Sequence, residues 1–154
     1  MAIEYREFGA ARIDEIRPLW EKLNVHHADV SSHFTERFEA YTFEKRKKSL
    51  LAEAEGGQFL IVVAHDPAEI RDIGYCISTL KDSGRGEIES LFLEQSHRGR
   101  GIGDVLMERS LQWLDRQGAV EKIIHVVSGN EQACGFYERY GFVPHCTVLL
   151  QKDK

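Results

Sequence analysis

The chain has 154 residues, of which 42% are hydrophobic, and this length predicts one domain, residues 1–154, around one core. Its formal net charge of −5 argues against nucleic-acid binding, which usually requires a basic face. No apolar run is long enough to cross a membrane and no apolar leader is visible. We therefore expect no membrane contact and a cytoplasmic location.

The three cysteines, Cys76, Cys134 and Cys146, are widely spaced and form no CxxC pair. This spacing favours reduced thiols that fill space in the core over disulfides or a structural zinc site. We therefore expect no bound metal.

The first part of the chain predicts a strand followed by two helices. Residues Ile3 to Phe8 alternate as a half-buried strand does, and the apolar residues from Ile13 to Leu23 recur at helical spacing. The segment Asn24 to Thr35 has no clear period and is interpreted as mostly a connection. Thr42 predicts the N-cap of a second helix, which stops at the pair Gly56-Gly57.

The second part predicts a mixed sheet. Phe59 to Ala64 and Ile70 to Leu80 predict an antiparallel hairpin, and Ile88 to Leu93 predicts a further strand. Four elements then follow: a helix from Gly101 to about Gln117, a strand from Lys122 to Val127, a helix from about Glu131 to Tyr140 and a last strand through Val148. An antiparallel half followed by a βαβα unit predicts an α/β (α+β) fold with helices on the faces of the sheet.

A glycine-rich loop, Arg98-Gly99-Arg100-Gly101-Ile102-Gly103, lies between a strand and a helix. A helix N-terminus exposes unpaired N–H groups, and glycines let an anion approach them closely. The loop is not a P-loop, since no Gly-Lys-Ser or Gly-Lys-Thr occurs. It is not a dinucleotide fingerprint, since Asp104 and Leu106 stand where a glycine is required. Taken alone, the glycines fit a tight turn as well as a phosphate site.

A second motif follows the next strand. The pattern N-x-x-A-x-x-F-Y-x-x-x-G-F is filled by Asn130, Ala133, Phe136, Tyr137, Gly141 and Phe142, and the loop fills [QR]-x-x-G-x-[GA] with Arg98, Gly101 and Gly103. Together the two motifs resemble the GCN5-related N-acetyltransferase (GNAT) superfamily. The resemblance covers about Glu87 to Phe142, and earlier residues match only in their order of elements. Asp104 departs from the hydroxyl or basic residue that often stands there in the family.

The resemblance implies a GNAT-like fold, with a mixed, mostly antiparallel sheet of six to seven strands flanked by about four helices. It also implies acetyl-coenzyme A as co-substrate, whose pantetheine arm enters where the strand Ile88 to Leu93 splays from the strand Ile123 to Val127. Backbone groups of Phe92 and Leu93 would pair with pantetheine, and one N–H would polarise the thioester carbonyl. The implied cofactor-binding residues are Leu91, Phe92, Leu93, Arg98, Gly99, Arg100, Gly101, Ile102, Gly103, Asn130, Ala133, Phe136 and Tyr137.

Two residues are candidates for catalysis. Tyr137 corresponds to the family's tyrosine that protonates the departing thiolate, although its helical face also fits a core aromatic. Glu89 is the candidate base for the amine, directly or through a water, and it fits a solvated strand carboxylate equally well. In a regular strand Glu89 shares a face with Leu91 and Leu93, whereas a bulge would change that face.

The acceptor site is assigned, as in the family, to the segment between the first two helices. Its candidate residues are His26, His27, His33 and Phe34, although the histidines also fit ordinary loop positions. A zinc site from three of these histidines is disfavoured, because neighbouring histidines point apart. The basic run Lys45 to Lys48 is interpreted as the solvated face of the second helix.

These patterns predict an enzyme that transfers an acetyl group from acetyl-coenzyme A to a primary amine of a small molecule, by direct attack in a ternary complex. Two alternatives stay open. One is acetylation of a protein N-terminus or lysine, and the other is a non-catalytic acyl-coenzyme A sensor. A homodimer is expected by family analogy alone.

Overall fold

A computed structural model describes residues 1–153 and contains one mixed sheet with the strand order β1-β2-β3-β4-β5. The strands are β1 (Glu4–Phe8), β2 (Gln58–Asp66), β3 (Arg71–Leu80), β4 (Arg85–Leu93) and β5 (Glu121–Ile124). The pairs from β1 to β4 are antiparallel, and β4 pairs with β5 in parallel. The mixed, mostly antiparallel sheet is thus confirmed, although the described residues form five strands rather than six to seven.

Five α-helices accompany the sheet, against the four or so expected. They are α1 (Arg17–Val30), α2 (Thr35–Glu39), α3 (Phe43–Glu53), α4 (Ile102–Arg116) and α5 (Gln132–Glu138), and short 3-10 helices span Ala10–Ile16 and Gln95–His97. Thr42 caps α3 as predicted, because its hydroxyl accepts a hydrogen bond from the amide of Lys45. Among residues 1–153, no helix is both long enough and apolar enough to cross a membrane.

The segment Asn24 to Thr35 is largely helical, so its interpretation as a connection is wrong. Helix α1 continues to Val30, and α2 begins at Thr35. The side-chain amide of Asn24 donates to the carbonyls of Phe38 and Tyr41, at 2.8 and 3.1 Å. Because these bonds join α1 to the chain around α2, tertiary contacts extend the helix beyond its apolar periodicity.

The predicted last strand through Val148 is not formed, since residues 143–153 have no secondary structure. Its apolar side chains are exposed, including Val148 at 77% and Leu149 at 90%. A strand is stable only when a second segment completes its backbone hydrogen bonds. No strand of the described chain pairs with the outer edge of β5, so the apolar pattern finds no partner there.

Two apolar layers lie on opposite faces of the sheet. One layer packs Trp20 and Phe43 of the first helices against Ile61 and Val63 of β2. The other layer packs the buried face of α4 against Leu60, Val62 and Ala64. Successive residues of β2 therefore pack alternately into the two layers, which makes the molecule three layers thick. Because both faces of the strand are buried, its apolar run is continuous.

The cysteines differ in their surroundings. Cys76 is buried in β3, Cys134 is half-buried in α5 and Cys146 is exposed, and all three are free thiols. The expectation of reduced thiols agrees with this arrangement, whereas the core-filling role holds for Cys76 and is wrong for Cys146.

Candidate active site

The glycine-rich loop leads directly into the first turn of α4. Gly99 and Gly101 have φ angles of 76° and 78°, a region that residues with a Cβ rarely adopt. The first backbone amide of the helix to be hydrogen-bonded is that of Val105, to the carbonyl of Gly101. Among the described residues, no backbone carbonyl accepts from the amides of residues 99–104. These amides form a set of donors without backbone acceptors at the positive end of the helix dipole.

The start of the loop is anchored by a buried hydrogen bond between His97 and Asp66. His97 is 1% exposed, and its Nε2 lies 2.8 Å from Oδ2 of Asp66 at the end of β2. Its Nδ1 lies 2.8 Å from the hydroxyl of Ser96. The next residue, Arg98, donates from Nε to the carbonyl of Leu93 at 3.0 Å. These contacts hold the loop against the sheet before the glycines begin.

The acidic residue after the loop, Asp104, lines the cleft beside the loop and is paired with residues near the end of α5. Its carboxylate accepts a hydrogen bond from the hydroxyl of Tyr140 and pairs with Nη2 of Arg139 at 2.8 Å. The Tyr140 hydrogen bond and the Arg139 charge lower the pKa of Asp104. Because this carboxylate is already compensated, it adds little repulsion to an anion bound at the loop.

A cleft opens beside the loop because β4 and β5 separate. Their parallel pairing runs from Arg85 opposite Glu121 to Ile88 opposite Ile124 and goes no further. Strand β4 continues to Leu93, so its last five residues have no partner on that side. The resulting cleft has a volume of about 610 Å³ and extends from α1 to the glycine loop. The predicted splaying of these strands is confirmed.

Most of the predicted site residues line this one cleft: Glu89, Leu91, Phe92, Leu93, Arg98, Gly99, Gly101, Gly103, Asn130, Ala133, Phe136 and Tyr137, together with His26 and His27. Arg100 and Ile102 do not line it. The side chain of Ile102 is 3% exposed and belongs to the core beneath α4, while Arg100 is exposed to solvent. Any contact of Ile102 with an anion therefore runs through its backbone amide, whereas the exposed Arg100 can also contribute its positive charge.

Tyr137 lies on α5 at the wall of the cleft, between the opening and the core. It packs against the apolar layer under α4, and its ring contacts Phe136 with centroids 5.5 Å apart. Burial raises the pKa of Tyr137, and the nearby thiols of Cys76 and Cys134 raise it further. The phenol therefore keeps its proton at neutral pH and is able to donate it to an anion formed in the cleft.

Glu89 is the extra residue of a β-bulge. Ile77 of β3 faces Ser90, whereas the next residue, Ser78, faces Ile88, so Glu89 has no partner in the ladder. Leu91 and Leu93 pack on the α4 side of the sheet. The bulge turns Glu89 to the opposite side, where it contacts Arg46 of α3. The regular-strand expectation, in which Glu89 shares a face with the two leucines, is therefore wrong.

The carboxyl of Glu89 is almost fully enclosed, with 1% of its side chain exposed. Oε1 accepts from the Thr79 hydroxyl at 3.2 Å, and Oε2 lies 3.5 Å from Nη2 of Arg46. Carboxylate oxygens of Glu53, Glu87 and Glu89 lie within 4.8 Å of one another. Burial, helped by Glu53 and Glu87, raises the pKa of Glu89 to about 8 despite the opposing charge of Arg46. The solvated-carboxylate alternative is therefore wrong for Glu89.

Helix α1 lines one end of the cleft with Leu23, His26 and His27. Nε2 of His26 lies 3.1 Å from the side-chain oxygen of Asn130, which joins α1 to the segment after β5. His27 packs on the ring of Phe38, and burial is the main cause that lowers its pKa to about 4. His27 is therefore neutral at pH 7. His33 is exposed, and neither His33 nor Phe34 lines the cleft.

Several residues around Glu89 cannot be recognised as its neighbours from the sequence. Arg46 belongs to the basic run interpreted as solvated, yet its side chain is 18% exposed and donates to the backbone carbonyl of Glu89 at 3.0 Å. That interpretation is wrong for Arg46. Glu53, Glu87 and His125 lie on three different elements and share no motif. Their only sequence signal is the placement of Glu87 two residues before Glu89 on the same strand.

Comparison with known proteins agrees with this geometry. The model of the acetyltransferase (GNAT) family matches residues 19–142. An uncharacterized N-acetyltransferase of Methanocaldococcus jannaschii is 29% identical over 68% of this chain and 50% of its own length. A mycothiol acetyltransferase of Corynebacterium glutamicum is 39% identical over 43% of this chain and 23% of its own. The chain thus spans half or less of these curated relatives.

A solved structure shows the same fold. The PaiA N-acetyltransferase of Thermoplasma acidophilum, determined in complex with coenzyme A, superposes with a TM-score of 0.67 at 21% identity, covering 96% of this chain and 94% of that one. The family model covers most of the chain and includes both the glycine loop and the motif on α5. The chain therefore belongs to the acetyltransferase (GNAT) family.

Proposed function

We propose that this protein binds acetyl-coenzyme A and transfers its acetyl group to a primary amine by direct attack. One observation carries the proposal: a single cleft joins an anion-binding helix N-terminus, an open strand edge, a protonated phenol and a buried carboxyl. The first two features suit the donor, and the last two suit proton transfer at the reacting atoms. No metal has a role in this scheme.

The donor is held mainly by backbone groups. The free amides of residues 99–104 would bind the pyrophosphate. The amide of Glu94 donates to the Ile73 carbonyl of β3, so alternation along β4 turns the amides of Leu91 and Leu93 toward the open side. These two amides, rather than that of Phe92, would then face pantetheine and the thioester carbonyl. A fixed N–H aimed at the oxyanion contributes about 3 kcal/mol.

The chemistry requires three proton transfers. Glu89, directly or through a water, takes a proton from the acceptor ammonium, and the free amine attacks the thioester carbonyl. A C–N bond forms, and the C–S bond breaks when the tetrahedral intermediate collapses. Tyr137 gives its proton to the departing thiolate and is reprotonated by the proton that the new amide nitrogen loses. No acetyl-enzyme forms, and Cys134 is not used as a nucleophile.

We propose a small-molecule acceptor because the acceptor end is covered. Besides the contact between His26 and Asn130, the amide of Ser32 donates to the carbonyl of Ser128 at 3.2 Å. Gly129 lies so close to Val30 that an added Cβ would meet its carbonyl oxygen at 1.8 Å. These contacts between α1 and the segment after β5 restrict an extended peptide more than a compact amine. The mycothiol acetyltransferase relative fits this acceptor class.

We further propose a homodimer. Val148 and Leu149 are exposed in a segment rich in strand-forming residues, and the outer edge of β5 has no partner strand among the described residues. A second copy would cover both by placing its own segment on that edge. Light scattering tests the assembly: we expect a dimer that Leu149→Asp weakens, and a monomeric parent would contradict it.

A cytoplasmic setting is proposed from the thiols. Cys134 and Cys146 are accessible and unpaired with one another in the described chain, as suits a reducing compartment. Fractionation of the native host's cells, with a cytoplasmic marker as control, tests it.

Release of free thiol from acetyl-coenzyme A, measured with a panel of amines, tests the function. The panel contains polyamines, amino acids, aminoglycosides and peptides, and calorimetry records the binding of coenzyme A in parallel. We expect thiol release with at least one compact amine. Release with peptides alone would favour the protein-acetylating alternative. Tight binding without release for any amine would favour the sensor.

A further inference from the structure

The proposed reaction liberates one proton in every turnover. An ammonium and a thioester become an amide and a thiol, so two protons leave the nitrogen and only one is taken up by the sulfur. Glu89 holds the remaining proton, and its side chain is 1% exposed. When donor and acceptor fill the cleft, water reaches this carboxyl poorly from that side. A path through protein groups would let this proton leave while the cleft is still filled.

A chain of titratable groups runs from Glu89 to the surface. Oxygens of Glu87 and Glu89 lie within 4.8 Å of each other, and Oε2 of Glu87 lies 3.1 Å from Nδ1 of His125. The exposed fraction of the side chain rises along this chain, from 1% at Glu89 to 13% at Glu87 and 73% at His125. His125 directly follows β5, at the point where that strand parts from β4.

We propose that Glu87 and His125 form an exit path that carries the proton from Glu89 to solvent. This proposal rests on the proposed acetyl transfer. The protonated carboxyl of Glu89 gives its proton to Glu87 through one bridging water, because no direct hydrogen bond joins the two carboxyls in the described chain although their oxygens lie within 4.8 Å. Glu87 passes the proton to Nδ1 of His125, and Nε2 of the imidazole releases a proton to water. An imidazole suits the last step because one ring nitrogen accepts a proton while the other releases one. Glu87 does not line the cleft, and His125 lines it at an exposed position after β5, so both are assigned to act through Glu89.

The other groups around Glu89 do not offer a competing exit. Arg46 and Glu53 face it from α3, and Thr79 faces it from β3. A guanidinium stays protonated at neutral pH, so it cannot accept the proton from Glu89. Oε2 of Glu53 is buried and has no hydrogen-bond partner among the described residues. Oε2 of Glu53 can therefore share a proton with Glu89, and this oxygen itself does not contact water.

Buffer rescue tests the exit path. We compare kcat of the parent with that of His125→Ala, first in dilute buffer and then with added imidazole. We expect the kcat of His125→Ala to be roughly tenfold below that of the parent in dilute buffer. This loss is smaller than the decrease of roughly 100-fold that removal of the base itself should cause. Imidazole should restore it, because a small buffer molecule replaces the missing side chain. The KM for acetyl-coenzyme A should not change, and His145→Ala, at another exposed histidine, is the matched control.

A second variant separates the two steps of the path. Glu87→Gln keeps the shape of the side chain but cannot carry a proton, and imidazole cannot bypass it at this depth. We expect Glu87→Gln to lower kcat, and we expect that imidazole does not restore it. Full activity of His125→Ala in dilute buffer, or a loss that imidazole leaves unchanged, would overturn the exit path alone. Absence of acetyl transfer by the parent would overturn the proposed function and the exit path together.

Discussion

The proposed donor end of the cleft is built from the backbone of one short segment, residues 98–104, whereas the proposed acceptor end is built from side chains of α1, α3, β3 and β4. Glycine spacing favours a backbone turn locally, so the donor end can be recognised in the sequence once the loop is considered together with the second motif. A site of side chains from distant elements exists only after folding. We therefore expect changes at the acceptor end to affect turnover and its pH dependence, and changes at the donor end to affect coenzyme A affinity.

The largest effect should come from Glu89→Gln, which keeps the size of the side chain and removes the base. We expect kcat to fall roughly 100-fold or more while the Kd of coenzyme A stays nearly constant. Steady-state kinetics and calorimetry measure the two quantities, and Glu121→Gln, at an exposed strand position, is the control. An equal loss of kcat and of coenzyme A affinity would show that the two ends of the cleft do not act separately.

Tyr137→Phe should give the next largest effect. Without the hydroxyl the thiolate leaves unprotonated, so we expect kcat to fall toward the lower end of the range for general acids, roughly 100-fold. Coenzyme A affinity should change little, because the ring still packs against the core. Tyr41→Phe, between α2 and α3, serves as the control. Unchanged turnover would reduce Tyr137 to a packing residue.

A matched pair of glycines tests the donor end. Gly101→Ala and Gly118→Ala both place a Cβ at positive φ, 78° and 87°, and neither Cβ meets an atom within 4 Å. Each should lower the free energy of unfolding by about 1–2 kcal/mol. Only Gly101→Ala should also weaken coenzyme A binding, by roughly tenfold, because it distorts the amides that hold the pyrophosphate. Equal affinities for both variants would contradict the backbone site.

The smallest effect is a change of pH dependence. Glu53 raises the pKa of Glu89 and Arg46 lowers it, so removing them should act in opposite directions. The base works only when deprotonated, and the rate therefore rises with pH through its pKa. We expect this rising limb to move to lower pH in Glu53→Gln and to higher pH in Arg46→Gln, measured with one acceptor throughout. Movement of the rising limb in the same direction in both variants would contradict this arrangement of charges around Glu89.

The parts that sequence predicts well are those with local causes. The N-cap at Thr42, the run through β2 and the positive-φ glycines each follow from a few neighbouring letters. The bulge at Glu89 does not, because it depends on how β3 aligns with β4. For the same reason the burial of Arg46 is invisible in a basic run, and the last strand is predicted from an apolar pattern that has no partner to pair with.

In the proposed function, one cleft holds the pyrophosphate on the glycine loop and the reacting sulfur beside Tyr137. A crystal structure of the complex with coenzyme A tests this placement. We predict that pyrophosphate oxygens accept hydrogen bonds from amides of residues 99–104, that pantetheine lies between β4 and β5, and that the thiol lies near the Tyr137 hydroxyl. Coenzyme A bound outside this cleft, or with its thiol directed away from Tyr137 and Glu89, would contradict this placement.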